Sequence, residues 1–246
     1  MSVECHECGK EYTNKGIGHH WRQSSCSYPV PSIRQKEIFT GLLMSDATIQ
    51  DTGSYPMMRI GMTNRLFLEW LEKELGLLCS SLVLKKTAED SARHARKTGF
   101  RPKAKTKNYR DVYALTTRSL PFFERLLEWY STGEKVFPEI KLTPTIVKMW
   151  YCGDGNLAVR REENYQHYAQ ITCSNEKDRM GKLQKMFNQA GFDPSISKND
   201  GRLSFSNKET KELLSWMGDP PPGFKYKWEI DNYEKYIELK HRVYKD

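Results

Sequence analysis

Two stretches of this chain end alike. Phe39-Thr40-Gly41-Leu42-Leu43-Met44-Ser45-Asp46-Ala47 and Val147-Lys148-Met149-Trp150-Tyr151-Cys152-Gly153-Asp154-Gly155 are each an apolar, helix-like run with small residues near its end, stopping at one aspartate. Negative charge at a helix C-terminus opposes the helix dipole. Two such acids in matching places therefore point to an assigned role rather than to solvation. A duplicated carboxylate at the tip of a buried helix suggests a two-fold site that holds metal between its halves.

The duplication extends well beyond the acids. Met58-Arg59-Ile60-Gly61-Met62-Thr63-Asn64 matches Ala169-Gln170-Ile171-Thr172-Cys173-Ser174-Asn175. Both alternate with period two and read as strands with one apolar face and one mixed to polar face. A helix over 66–75 stops at Gly76, and one over 180–190 stops at Gly191, the expected C-terminal signal. Strands around Leu115 and Leu203 follow, then helices around Leu126-Trp129 and Leu213-Trp216, then matched Pro138 and Pro222. Third strands fall near Leu82-Val83-Leu84 and Ser195-Ile196-Ser197. Each half thus reads helix, strand, strand, helix, strand, strand, helix. Ser32 with Gln35 forms a capping box ahead of the first acid-bearing helix. Thr143 followed by Pro144 gives the second an N-cap with proline at its first position. The organisation is a small N-terminal module (1–31), a first half (32–130), a linker (131–142), a second half (143–228) and a final amphipathic helix (229–246).

In the N-terminal module, Cys5-x-x-Cys8 is followed by His19, His20 and Cys26. Cys5, Cys8, His20 and Cys26 make a tetrahedral zinc set, with His20 preferred to His19 because it lies beside Trp21, which can cover the site. About thirty residues hold no core of their own, so metal would supply the folding energy. The rival reading, a redox Cys-x-x-Cys, lacks a preceding strand. Cys79, Cys152 and Cys173 sit among apolar residues as small core side chains. No apolar run reaches the length of a membrane span, and the N-terminus lacks a secretory signal. The expected location is intracellular and cytoplasmic, where thiols stay reduced. A net charge of +8 favours a polyanionic partner, most simply nucleic acid.

Taken together, residues 33–228 resemble the LAGLIDADG homing endonucleases in their single-chain, two-motif form. Asp46 and Asp154 fall at the motif's catalytic acid, and Gly41 and Ser45 give the small-residue stripe on which the two motif helices pack. Gly153 is kept in the second copy, but Met149 stands where Gly41 does, and Ala47 replaces the motif's final glycine. The resemblance implies an α+β fold: a pseudo-two-fold duplicated αββαββα unit with antiparallel saddle sheets, here with a zinc finger in front. It implies that Asp46 and Asp154, with the backbone oxygens of Ser45 and Gly153, bind Mg²⁺ (or Mn²⁺) between two scissile phosphates. It further implies a basic residue near the metals; Lys141 and Lys225, at matching positions, are the candidates, with Lys227 competing.

The implied partner is double-stranded DNA with a long asymmetric target, bound by a monomer. The polar strand faces are the expected readers: Arg59, Arg110, Thr116, Tyr168, Gln170, Thr172, Ser204 and Ser206. The first half adds ten basic residues against two acids in a stretch that reads as a long mobile loop. They are Lys85, Lys86, Arg93, Arg96, Lys97, Arg101, Lys103, Lys105, Lys107 and Arg110, and they are suited to phosphate contact. The matching loop of the second half, with Lys198 and Arg202, is short. The implied activity is site-specific double-strand DNA cleavage that mobilises the coding element. The alternative on the same fold is an RNA maturase or a DNA-binding regulator without cleavage.

Overall fold

The computed structural model describes residues 2–130, 133–136, 138–159, 166–197 and 199–242. Packing divides the chain into two compact units, Met1–Ser32 with Ala47–Glu128, and Ile33–Asp46 with Trp129–Asp246. The repeat breaks the chain at the linker; the packing instead groups the first acid-bearing helix with the second half.

The first unit begins with an antiparallel pair, β1 (Ser2–Glu4) and β2 (Glu11–Thr13), followed by helix α1 (Gly16–Gln23). Helix α2 (Ile33–Met44) belongs to the other unit. The first unit resumes with β3 (Thr48–Gln50), β4 (Met57–Met62), helix α3 (Arg65–Leu75), β5 (Cys79–Lys86), helix α4 (Ala88–Lys97), β6 (Val112–Thr117) and the short α5 (Glu124–Leu127). Its sheet is antiparallel in the order β3-β4-β6-β5. The alternation read from the sequence is the one observed: Met58 and Ile60 are buried, whereas Arg59 is half-buried and Gly61 exposed. The buried face is covered by α3, whose Phe67, Leu68 and Leu71 are inaccessible. Asn64 caps that helix by accepting from the Phe67 amide at 3.2 Å.

The second unit holds α2, α6 (Pro144–Asp154), β7 (Gly155–Val159), β8 (His167–Thr172), α7 (Met180–Gln189), β9 (Ser195–Ser197), β10 (Arg202–Ser204), α8 (Asn207–Met217) and α9 (Tyr233–Arg242). Its sheet, β7-β8-β10-β9, repeats the strand order of the first. Both third strands therefore form where the sequence placed them. Beneath the sheet, Phe187 stacks on Trp150 at 5.8 Å and meets Phe205 edge-on at 5.1 Å. Helix α6 starts as its sequence dictates, with the Thr143 hydroxyl accepting from the Ile146 amide and Pro144 in the first turn. The final helix is a brace: Tyr236 is buried and its hydroxyl donates to the Leu157 carbonyl.

Four expectations are corrected. A strand, β1, does precede Cys5-x-x-Cys8, so what argues against a redox pair is the convergence of His20 and Cys26 on it. The basic stretch after β5 is not a long loop, because ten of its residues form α4, which is stabilised by a reciprocal capping box between Thr87 and Asp90. The helix expected around Leu126 is a single four-residue turn between two 3₁₀ turns, Pro121–Phe123 and Glu128–Tyr130. Ser206 is not a strand residue, because its side chain caps α8 in a box with Glu209. Among the described residues no helix is long and apolar enough to cross a membrane.

Helices α2 and α6 cross closely. A methyl group on Gly41 would lie 2.3 Å from the Ile146 carbonyl oxygen and 2.7 Å from Met149 Cβ. The methionine that breaks the second copy's glycine stripe thus stands against the first copy's glycine, so one glycine at this level admits both backbones. Gly41→Ala is expected to destabilise the protein by about 1–3 kcal/mol through overpacking, read as a lowered midpoint in urea unfolding. A wild-type midpoint would show that the helices separate without cost.

Candidate active site

Both acids sit where these helices end. Asp154 is the last residue of α6, and Asp46 lies in the turn that closes α2. The second crossing point brings them together. A methyl group on Gly153 would lie 2.5 Å from Ser45 Cβ and 3.0 Å from an Asp46 carboxylate oxygen. The Asp46 carboxylate therefore lies against the residue preceding Asp154. The two acids line a cavity of about 200 Å³ together with Met44, Lys135, Trp150 and Glu176.

The electrostatics of this cavity follow from partial burial. Burial pushes the Asp46 carboxyl above its ordinary range, with Lys135 and Lys227 pulling it back. Asp154 is pushed up to about 6, first by burial and then by the neighbouring Asp46 charge, against the pull of Lys135, Lys227 and a hydrogen bond from Trp150. Burial lowers Lys135, and the charges of Asp154, Asp46 and Glu176 hold it up. Lys227 is brought down to about 8 by burial.

The two lysines hold the helix ends. Lys227 Nζ donates to the carbonyls of Tyr151, Cys152 and Gly155 at 3.0, 2.7 and 2.6 Å, completing the C-terminus of α6. Its Nζ also lies over the Phe224 ring, 4.9 Å from the centroid. Lys135 Nζ donates to the Ser45 carbonyl beside Asp46. A cation at each helix terminus stabilises the local dipole and fixes the backbone that presents each acid. Lys141 and Lys225, expected beside the acids, are both exposed on the surface. Repeat equivalence selected that pair, but Lys135 and Lys227 do not occupy matching positions in the repeat, so no pairing of the halves could find them together. Lys135 reads as linker, and Glu176 gave no signal at all. Glu176 is buried in an ion pair with Arg179 at 2.6 Å.

The N-terminal module brings its predicted set together. The ligand atoms of Cys5, Cys8, His20 and Cys26 all lie within 4.8 Å of one another, and Cys8 Sγ is 3.6 Å from His20 Nε2. That spacing fits the edge of a tetrahedron with metal–ligand bonds of about 2.0–2.3 Å. Burial opposes ionisation of Cys5, but the amides of Cys8 and Glu7, with His20 and Trp21, bring its thiol down to about 6. Trp21 is buried under the cluster with Ile17. The module is fastened to the first unit's sheet by Arg118. Its Nη1 donates to the Asn14 carbonyl at 2.7 Å and its Nε to the Leu77 carbonyl at 2.8 Å.

The predicted reading faces form in part as rows. In the second sheet Asn156, Gln170, Ser204 and Ser195 are cross-strand neighbours, and so are Thr172, Arg202 and Ser197. Gln170 Nε2 donates to Ser204 Oγ at 3.2 Å. Tyr168, one register further, pairs with Ala158. In the first sheet Thr48, Arg59, Thr116 and Ser81 form the equivalent row. The Nε of Arg59 is buried without a hydrogen-bond partner among the described residues. Thr48, Ser81, Asn156, Ser195 and Ser197 were not singled out, because short edge strands carry little periodicity. Of the basic stretch, Lys85 extends from the end of β5 and Lys86 is half-buried. Lys97, Arg101, Lys103, Lys105, Lys107 and Arg110 are exposed. Arg93 and Arg96 differ, being held in ion pairs by Asp90 and Glu89. Lys198 lies outside the described residues, as do Ser131 and Thr132 of the linker.

Residues 36–213 match the LAGLIDADG DNA endonuclease family. The match spans more than half of the chain, and the protein belongs to that family. Among solved structures it is similar to the homing endonuclease I-WcaI bound to its DNA recognition sequence. The identity there is 15%, with 88% of this chain and 93% of that one covered and a TM-score of 0.65. At that identity the likeness shows a shared fold. Another match is the I-LtrWI LAGLIDADG homing endonuclease bound to target DNA, at 11% identity, 84% and 88% coverage and a TM-score of 0.41. No curated protein sequence matches significantly.

The raised carboxyl of Asp154 has a consequence for stability. Its folded value of about 6 exceeds its ordinary 3.8, so the folded protein binds more protons across that window. Stability from this group therefore falls as pH rises through the window and stays reduced above it. Without added divalent cation, Asp154→Asn is expected to stabilise the protein at about pH 7 by about 1–2 kcal/mol. The gain should vanish near pH 4. Urea unfolding at both values measures this, and equal stability of variant and wild type at neutral pH would refute it.

Proposed function

We propose that this protein is a site-specific, metal-dependent endonuclease that cuts both strands of a long asymmetric DNA target, acting as a monomer. The observation that carries the proposal is the convergence of Asp46 and Asp154 at the crossing of α2 and α6. Two part-buried carboxylates that disfavour each other's charge make a site in want of a cation. Hard carboxylate oxygens suit Mg²⁺ or Mn²⁺, and the donor set present fits such an ion. Bound there, it supplies a polarised water as nucleophile and charge stabilisation for the leaving 3′ oxygen.

The chain's own contribution is positioning. Lys227 and Lys135 fix the helix ends so that the acids face one cavity. Lys135, which also faces both acids, provides positive charge where a phosphate would sit. The backbone oxygens of Ser45 and Gly153 are further candidate ligands, and the Ser45 oxygen already accepts from Lys135. The polar rows on the two sheets read base edges in the major groove, and the exposed lysines of the first half hold phosphates. A Zn²⁺ held by Cys5, Cys8, His20 and Cys26 stabilises the N-terminal module. Cleavage of this kind serves the mobility of the coding element.

Selection of cleaved sites from a random DNA library in Mg²⁺ supplies the substrate. On that duplex, Asp46→Asn and Asp154→Asn are each expected to lower the cleavage rate by more than about a hundredfold while binding changes only a few-fold. A wild-type protein that cuts no DNA in Mg²⁺ but binds structured RNA tightly would replace this function with that of a maturase.

A further inference from the structure

The segment joining β5 to β6 is a built knob. Its helix α4 buries Ala92 and Ala95, and the returning chain buries Ala104. Arg96 Nη1 donates to the Ala104 carbonyl at 2.8 Å, and Glu89 accepts from both Arg96 and Thr106. Asp111 accepts from the Ala88 amide at 2.8 Å, closing the base. Gly99, at φ 72°, turns the chain back, and the Arg101 amide donates to the Ala95 carbonyl at 3.1 Å. These contacts tie helix and returning chain to each other.

That tip is Phe100, 78% exposed. The Arg101 guanidinium lies 5.6 Å from its ring centroid, and Lys97, Lys103, Lys105 and Lys107 are exposed on the same segment. A solvated charge run needs no phenylalanine at its apex, and covering that ring removes apolar surface from water. The surrounding charge selects a polyanion as what covers it. Resting on the DNA reading above, we propose that the knob inserts Phe100 as an apolar wedge at a base step flanking the target on the first half's side. The cations around it grip the adjoining phosphates and the duplex bends there. A second copy of this chain would present the same positive charge and is disfavoured as the occupant.

The test uses the full-length, zinc-loaded protein and an end-labelled duplex selected by binding from a random library. Affinity, salt dependence and bending by end-to-end energy transfer are measured. Phe100→Ala is expected to weaken binding about tenfold and to remove the bend, with the salt slope unchanged. Phe100→Leu, still an apolar wedge, should keep most of both. Combined alanines at Lys103, Lys105 and Lys107 should reduce the salt slope by about 2–3 while the bend persists at low salt. Wild-type affinity and bend in Phe100→Ala would overturn the wedge, as would tighter binding to single strands than to duplex. Cleavage in Mg²⁺ is scored separately on the same duplex. A protein that binds and bends without cutting would sink the nuclease function and leave the wedge standing.

Discussion

The close approach of α2 and α6 is the constraint on which the rest depends. It exists because two glycines lack side chains at the contact, one facing Ile146 and Met149, the other facing Ser45. Interior packing leaves no spare volume for a methyl at either point. The approach has a chemical product: it sets each helix end, with its acid, beside the other. A wider crossing would leave Asp46 and Asp154 as two separate, solvated carboxylates with ordinary acidities.

Holding two acids in one part-buried cavity costs free energy, visible in the upward displacement of both carboxyls. The two lysines offset part of it, and they do so as structural groups as much as electrostatic ones. Lys227 donates to three carbonyls around the end of α6, those of Tyr151, Cys152 and Gly155, and Lys135 reaches the carbonyl before Asp46. Each lysine thus orders the backbone of an acid while moderating its charge. The remaining repulsion is what a divalent cation bound between the acids would relieve.

Much of this was legible in the sequence because it repeats. The match of Met58–Met62 with residues 169–173 gave the second strand of each sheet, and the two sheets have the same strand order. Asp46 and Asp154 stood out because an acid at an apolar helix end is costly and here occurs twice. The cluster of Cys5, Cys8, His20 and Cys26 was legible because its members are close in sequence. Several of the features that were not legible break the repeat. Lys135 lies in the linker, Glu176 lies in a 3₁₀ turn, and α4 is an insertion of the first half alone. Helix α4 was also masked by charge, since its apolar side consists only of alanines, Ala92 and Ala95. Ser206 was misassigned because a serine after a strand and a serine capping the next helix look alike until the Glu209 box is recognised.

Asp46 and Asp154 are proposed to form one metal site rather than two surface acids. Anomalous diffraction from crystals of the protein with duplex DNA and Mn²⁺ tests it most directly. A shared site gives anomalous density in direct contact with both carboxylates, at the end of the α2–α6 crossing. Density confined to other surface acids, with Asp46 and Asp154 contacting only water or each other through a shared proton, would contradict it.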